Sequence, residues 1–283
     1  ECLDARGRLD IPDLIAFRRK NMALLRQRAV ALAPATRSAL EAAPAHVRSV
    51  LSAASTSGVH VALLDECMTI LDLPDRQGVL TGLLGGFPIV DEIPAVPQAP
   101  PQPIRAAKLS SAELLSDAPL LRDKLTRKQA RELARASKEA SEAAKEILSQ
   151  TKDDIRLGRM TPLVPAAARA NLLGTRRFSV SQVSAKGVQK LRCIDDFAES
   201  LVNETTVVTR KIRMASVRDL LGSVAELRRL HPGEQLRLLK SDFRSAYRSV
   251  PIRGDHLRFS DILVCDPDSG QVFATTQLAM PFG

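Results

Sequence analysis

The sequence predicts an α+β protein in which a helical N-terminal region precedes a sheet-containing domain. Three observations predict it. Apolar residues recur at helical spacing through much of the first 90 residues, five prolines crowd into residues 91–104, and beyond residue 158 short apolar runs alternate with turn residues. Hydrophobic residues make up 45% of the 283, enough to fill a core, and with only 3% aromatics and no Trp that core must be aliphatic.

Taken in order, residues 12–54 carry Leu14, Phe17, Leu24, Leu25, Val30 and Leu32 at helical spacing, and Pro34 and Pro44 are expected to divide the stretch into two or three short helices. The run at 59–73 reads as a helix stopped by Pro74, with a short second helix ended by Gly85 and Gly86. These elements form a helical region over 1–90. Residues 91–104 read as an extended Pro-rich linker, because proline lacks the N–H that a helix needs. A charged helical segment follows over 105–152, opened by Ser110 or Ser111 as a cap before Glu113. Ten Lys or Arg face seven Asp or Glu in 105–150, mostly interleaved, which predicts one or two exposed helices laced with salt bridges.

From 153 to 283 the pattern is that of a mixed sheet. Residues 176–182 and 188–197 flank a Gly-containing turn and read as a β-hairpin. Residues 217–230 form an amphipathic helix ending at His231-Pro232-Gly233, and 235–252 a strand running into a short helix. The final stretch reads as a second hairpin turned by Asp266-Pro267-Asp268-Ser269-Gly270.

A formal net charge of +9 and a pI near 9.8 favour an anionic partner, since Lys and Arg that neutralise phosphates release counterions whatever the base sequence. Cys2, Cys67, Cys193 and Cys265 lie too far apart for a zinc motif or a disulfide framework, so a reducing, intracellular compartment is expected, nucleus or cytoplasm alike. Cys193 and Cys265 read as buried small hydrophobes, and the four histidines as structural or exposed. With no signal peptide and no run of 18 apolar residues, no membrane partner is expected. Glu1 in place of Met fits a start inside a longer reading frame.

Asp242 carries the most chemistry. It follows the apolar strand Leu236-Arg237-Leu238-Leu239 at a turn that continues as a helix. A carboxylate there can hold a divalent metal while the turn amides face a phosphate; equally, it can cap the helix it precedes.

Residues 190–203 (KLRCIDDFAESLVN), 240–252 (KSDFRSAYRSVPI) and 277–283 (QLAMPFG), in this order and at these intervals, resemble three successive blocks of retroelement reverse transcriptases. RRFSVSQ (176–182) and DDIRLGRM (153–160) fit the same pattern, and 71–90 is faintly similar to the region upstream of the fingers. The resemblance implies that 153–283 is a partial right-hand polymerase domain, fingers and the first half of the palm, that binds an RNA or DNA template-primer and deoxynucleoside triphosphates.

Residue roles follow position by position. Asp242 matches the first catalytic aspartate, which binds both Mg2+ ions of a complete enzyme, and Phe243 the position whose carbonyl binds a metal. Ser245 and Ala246 fall where backbone amides meet the incoming triphosphate. Tyr247 matches the aromatic that packs under the sugar and excludes a ribose 2′-OH. Arg192 matches the fingers arginine along the triphosphate, a task suited to a planar, permanently charged fork of donors. Gln182 and Lys186 are alternatives for a second triphosphate contact. Met280, Pro281, Phe282 and Gly283 match the start of the block supporting the templating base, with Phe282 where viral enzymes carry Gln.

The family places two further aspartates in a Tyr-x-Asp-Asp hairpin after this block, beyond Gly283. Asp195 and Asp196 belong to a fingers strand and cannot replace them, so 1–283 alone is expected not to polymerise. Two other classes stand beside the enzyme: a nucleic-acid-binding remnant without catalysis, and a helical scaffold whose block matches are accidental.

Overall fold

The computed structural model describes residues 11–52, 59–93, 106–117, 138–169, 172–183, 189–208, 216–233 and 246–281, with scattered positions between 120 and 131 and Gly187. Its elements are helices and strands, and the strands form a two-stranded parallel sheet and a five-stranded mixed sheet.

Helix α1 spans Ile11–Ala42 and runs through Pro34, so the expected break there does not occur. Proline removes one backbone donor from the helical ladder, and a neighbouring side chain braces the chain across the gap. His60 donates from Nε2 to the Ala29 carbonyl (2.7 Å) and accepts at Nδ1 from the Thr36 hydroxyl (2.9 Å), one contact on each side of Pro34. The same Nδ1 caps helix α3 (Val61–Ile70) by accepting from the Leu63 amide. Helix α2 (Ala45–Ser52) begins after Pro44, and α4 (Arg76–Gly85) follows α3 across Pro74, as the punctuation predicts. Ala43, Val47, Leu51, Val61 and Leu83 form the buried centre of this helical group.

Strand β1 (Asp91–Ile93) occupies the first three residues assigned to the linker, pairing in parallel with β5 (Thr206–Val208); 94–104 lie outside the described residues. Helix α5 (Ser111–Ser116) opens with a complete capping box, Ser110 and Glu113 satisfying each other's backbone amides. Helix α6 (Lys138–Arg156) corrects a second expectation: its C-terminal half is no exposed charged rod. Thr151 is fully buried, and Ile147, Leu148 and Ile155 pack on the main core.

That core lies against a five-stranded sheet of order β2-β7-β6-β3-β4, comprising β2 (Val164–Pro165), β3 (Thr175–Val183), β4 (Gln189–Asp195), β6 (Asp261–Cys265) and β7 (Val272–Thr276). Both expected hairpins form, β3 antiparallel to β4 and β6 antiparallel to β7, while β6 runs parallel to β3. Alternation along β6 puts Ile262 and Val264 into one buried cluster and Leu263 into another, so the sheet is covered on both faces. Helix α7 (Val217–Leu230) matches its predicted bounds, held at its start by a Ser216–Asp219 capping box.

The helical region and the sheet domain share packing. Val50 of α2 contacts the cluster of Leu278 and Ala279, His46 donates to the Ile252 carbonyl (2.9 Å), and Ser49 donates to the Gly158 carbonyl (2.8 Å). Phe87 pairs with Ile252, its amide reaching the Pro251 carbonyl at 2.8 Å. Gly86 permits this approach with a φ of +91°, and an added Cβ would lie 2.4 Å from the Ile252 carbonyl oxygen. Among the described residues no helix is long and apolar enough to cross a membrane.

Candidate functional site

The three sequence blocks converge on one side chain, Arg248. It belongs to a single 3-10 turn, Tyr247–Ser249, closed by the Val250 amide on the Tyr247 carbonyl. Its guanidinium lies 3.3 Å from Asp154 Oδ2 and 3.8 Å from Asp195 Oδ2, and donates to Gln277 Oε1 at 3.3 Å. Asp195 comes from the first block, Arg248 from the second and Gln277 from the third; Asp154 comes from the 153–160 segment. The backbone ties the second and third blocks as well: the Ile252 amide bonds to the Leu278 carbonyl (2.9 Å) and the Met280 amide to the Val250 carbonyl (2.8 Å).

Beneath Arg248 the charges continue inward. Arg177 on β3 sits directly across from Asp195 on β4 and grips its carboxylate with two bonds, Nε to Oδ1 at 2.7 Å and Nη2 to Oδ2 at 3.1 Å. Both side chains are fully buried. Gln277 Nε2 donates to Asp195 Oδ2 at 2.5 Å, and Arg177 Nη1 reaches Thr151 Oγ1 at 3.0 Å and Asp154 at 3.6 Å. Arg159 adds a third guanidinium, 3.6 Å from Asp154. Burial alone would make Arg177 easier to deprotonate, but the Asp195 charge and hydrogen bonds, with Asp154 behind them, outweigh it and hold its pKa above the usual arginine value. Arg248 goes the other way: desolvation, then repulsion from Arg177, pulls its pKa down despite the two carboxylates.

Strand alternation sorts the remaining candidates. Cys193 and Asp195 point to the buried face of β4, where Cys193 donates to Gln150 Oε1 at 3.0 Å and burial raises its thiol pKa to about 11. Arg192 lies on the opposite face, exposed, across from Val180. The structure therefore does not bring Arg192 into the charge cluster. Tyr247 is 61% exposed and Ala246 is exposed beside it, so the turn presents its aromatic ring outward while Arg248 reaches in. Asp242, Phe243, Ser245, Phe282, Gly283 and Lys186 lie outside the described residues, as does the strand expected over 235–245.

Among the described residues no three of His, Cys, Asp and Glu are grouped to hold a metal ion. The buried carboxylates explain why in part: Asp154 and Asp195 face guanidinium groups, and Asp261 is held by Arg169 (2.9 Å) and the Thr276 hydroxyl (2.5 Å). They do not fit a cation site, and the metal assignment rests on the sequence position of Asp242. Three of the histidines are structural: besides His46 and His60, His256 accepts at Nδ1 from the Ile89 and Val90 amides, while His231 is exposed at the end of α7. A surface groove between α1 and α3, lined by Leu24, Leu25, Leu63, Cys67 and Ile70, includes none of the candidate residues.

Sequence reasoning missed Arg177, Arg248, Asp154 and Gln277. All four stood in segments already noticed for their pattern, at 153–160, 176–182, 240–252 and 277–283, but no local signal couples them. Compared with known proteins, the chain matches no family model, and no curated protein matches it significantly.

Proposed function

We propose that this chain is part of a retroelement RNA-directed DNA polymerase, comprising its fingers and the first half of its palm. The observation that carries the reading is the register of the three blocks in sequence together with their meeting at Arg248. Residues far apart in sequence, such as Asp195 and Gln277 at 82 positions, supply one polar cluster, as expected of blocks that build a common site.

In this reading the template-primer lies against a basic surface, and affinity falls as salt rises because bound phosphates displace counterions. Arg192 engages the triphosphate from the fingers hairpin, and the amides at Ser245 and Ala246 meet it from the palm. Tyr247 packs under the deoxyribose and leaves no room for a 2′-OH, while Phe282 supports the templating base. Asp242 and the Phe243 carbonyl, together with the carboxylates of the Tyr-x-Asp-Asp block, would hold two Mg2+ ions, which would supply Lewis acidity to the primer 3′-OH and to the leaving pyrophosphate. The protein contributes position and electrostatics.

The test is primer extension by the full reading frame that contains this chain, supplying the Tyr-x-Asp-Asp block. Asp242→Ala abolishes extension while template-primer binding, read by fluorescence anisotropy, stays near wild type. Extension by that variant at the wild-type rate overturns the assignment. Binding without extension by the wild-type protein favours the non-catalytic remnant instead, a reading that the charge of +9 equally supports.

A further inference from the structure

Resting on that reading of Tyr247, we propose that Arg248 is the positioning residue for the sugar gate, locking the Tyr247 turn to the fingers hairpin and to α6. A single 3-10 turn has little rigidity of its own. Tyr247 projects from this turn with 61% of its surface exposed. Its chain neighbour supplies an anchor: the Arg248 side chain is only 12% exposed and its guanidinium spans three elements, α6 at Asp154, β4 at Asp195 and the end of β7 at Gln277. Fixing that planar group in three directions fixes the backbone at 247–249, and with it where the Tyr247 ring sits. A planar fork of donors suits this span; an ammonium is a compact charge with rotatable donors and does not fix a plane.

The charge count allows a clean perturbation. Arg159, Arg177 and Arg248 face Asp154 and Asp195, three positive groups against two negative. Arg248→Met leaves two against two, and Asp195 keeps its bidentate bond to Arg177 and its bond to Gln277. The fold is retained while the turn loses its side-chain tether and keeps the backbone bond from Met280 to the Val250 carbonyl.

Tyr247 is the only tyrosine, so 3-fluorotyrosine incorporation places one fluorine label in the chain, at the gate. Arg248→Met moves and broadens the single 19F resonance, with a thermal midpoint near wild type; Arg248→Lys restores the line only in part. If Arg248→Met does not fold, Asp154→Asn, which removes one anchor and keeps its shape, shifts the same resonance. An unchanged line in a folded Arg248→Met protein, or in Asp154→Asn where Arg248→Met is unfolded, overturns the inference. In primer extension by the full reading frame, Arg248→Met reduces the preference for deoxy- over ribonucleotides by up to about a hundredfold, the order expected for a misplacement of about 1 Å. If Tyr247→Ala admits ribonucleotides and a folded Arg248→Met protein does not, the inference fails and the polymerase reading stands. If the wild-type protein extends no primer, the polymerase reading fails, and the 19F line still decides whether Arg248 holds the turn.

Discussion

Replacing Arg177 by Met strips the buried Asp195 carboxylate of its principal partner, and the structure allows the cost to be worked out. The two hydrogen bonds at 2.7 and 3.1 Å disappear, along with the donor to Thr151, while Asp195 remains wholly inaccessible to water. Breaking a buried ion pair from one side costs about 3–5 kcal/mol, because the remaining charge is stranded in a medium that solvates it poorly. Gln277 still donates to Asp195 and Arg248 stays 3.8 Å away, which places the loss at the lower end, about 3 kcal/mol. That is a change of roughly a hundredfold in the folding equilibrium, and a large part of the stability of an ordinary domain. Urea unfolding followed by far-UV circular dichroism reads it as a lowered midpoint. The companion Arg177→Met/Asp195→Leu recovers most of the loss, since an apolar pair leaves no stranded charge. A single variant within about 1 kcal/mol of wild type, or a double variant as unstable as the two singles added together, refutes the account.

Asp261 governs the acid side of the stability profile. Burial raises its pKa from 3.8 to about 6, more than Thr276 and Arg169 can lower it. Because the folded carboxyl holds its proton more tightly than the unfolded one, stability is greatest below about pH 4 as far as this group is concerned. It falls as pH climbs to about 6 and then levels, by an amount on the order of 3 kcal/mol. Asp261→Asn removes that part of the slope, and parallel melting profiles for the two proteins across pH 4–7 contradict the prediction. Gly86→Ala forces a Cβ to within 2.4 Å of the Ile252 carbonyl at a φ of +91°. The expected cost is about 1–3 kcal/mol, with faster hydrogen exchange at the amides of Phe87 and Arg253, which bond each other's strand segment. Wild-type exchange at both amides in this variant excludes the close approach described.

How much was legible depended on range. The β3–β4 hairpin could be read because its turn at Gly187, with φ +75°, and the apolar alternation on both sides lie within about 20 residues. The helix over 217–230 and the hairpin turned at Gly270 were legible for the same reason. Pro34 misled because helix propensity is a local quantity, whereas the brace from His60 comes from another helix. The charges of 138–156 misled likewise: one face of α6 meets the sheet, and the composition of the segment does not say which. The parallel pairings of β1 with β5 and of β6 with β3 have no signature in the strands themselves.

Capping, periodicity and turn chemistry act between residues a few positions apart, so the order of residues sufficed for the existence and kind of most of the described elements. Which charges would neutralise each other was another matter. Arg177 and Asp195 become partners because two strands pair in one register, and Asp154, Arg248 and Gln277 join them because a helix, a turn and a strand end pack onto that hairpin. Electrostatic pairing depends on distance through space, and packing of the whole chain sets that distance.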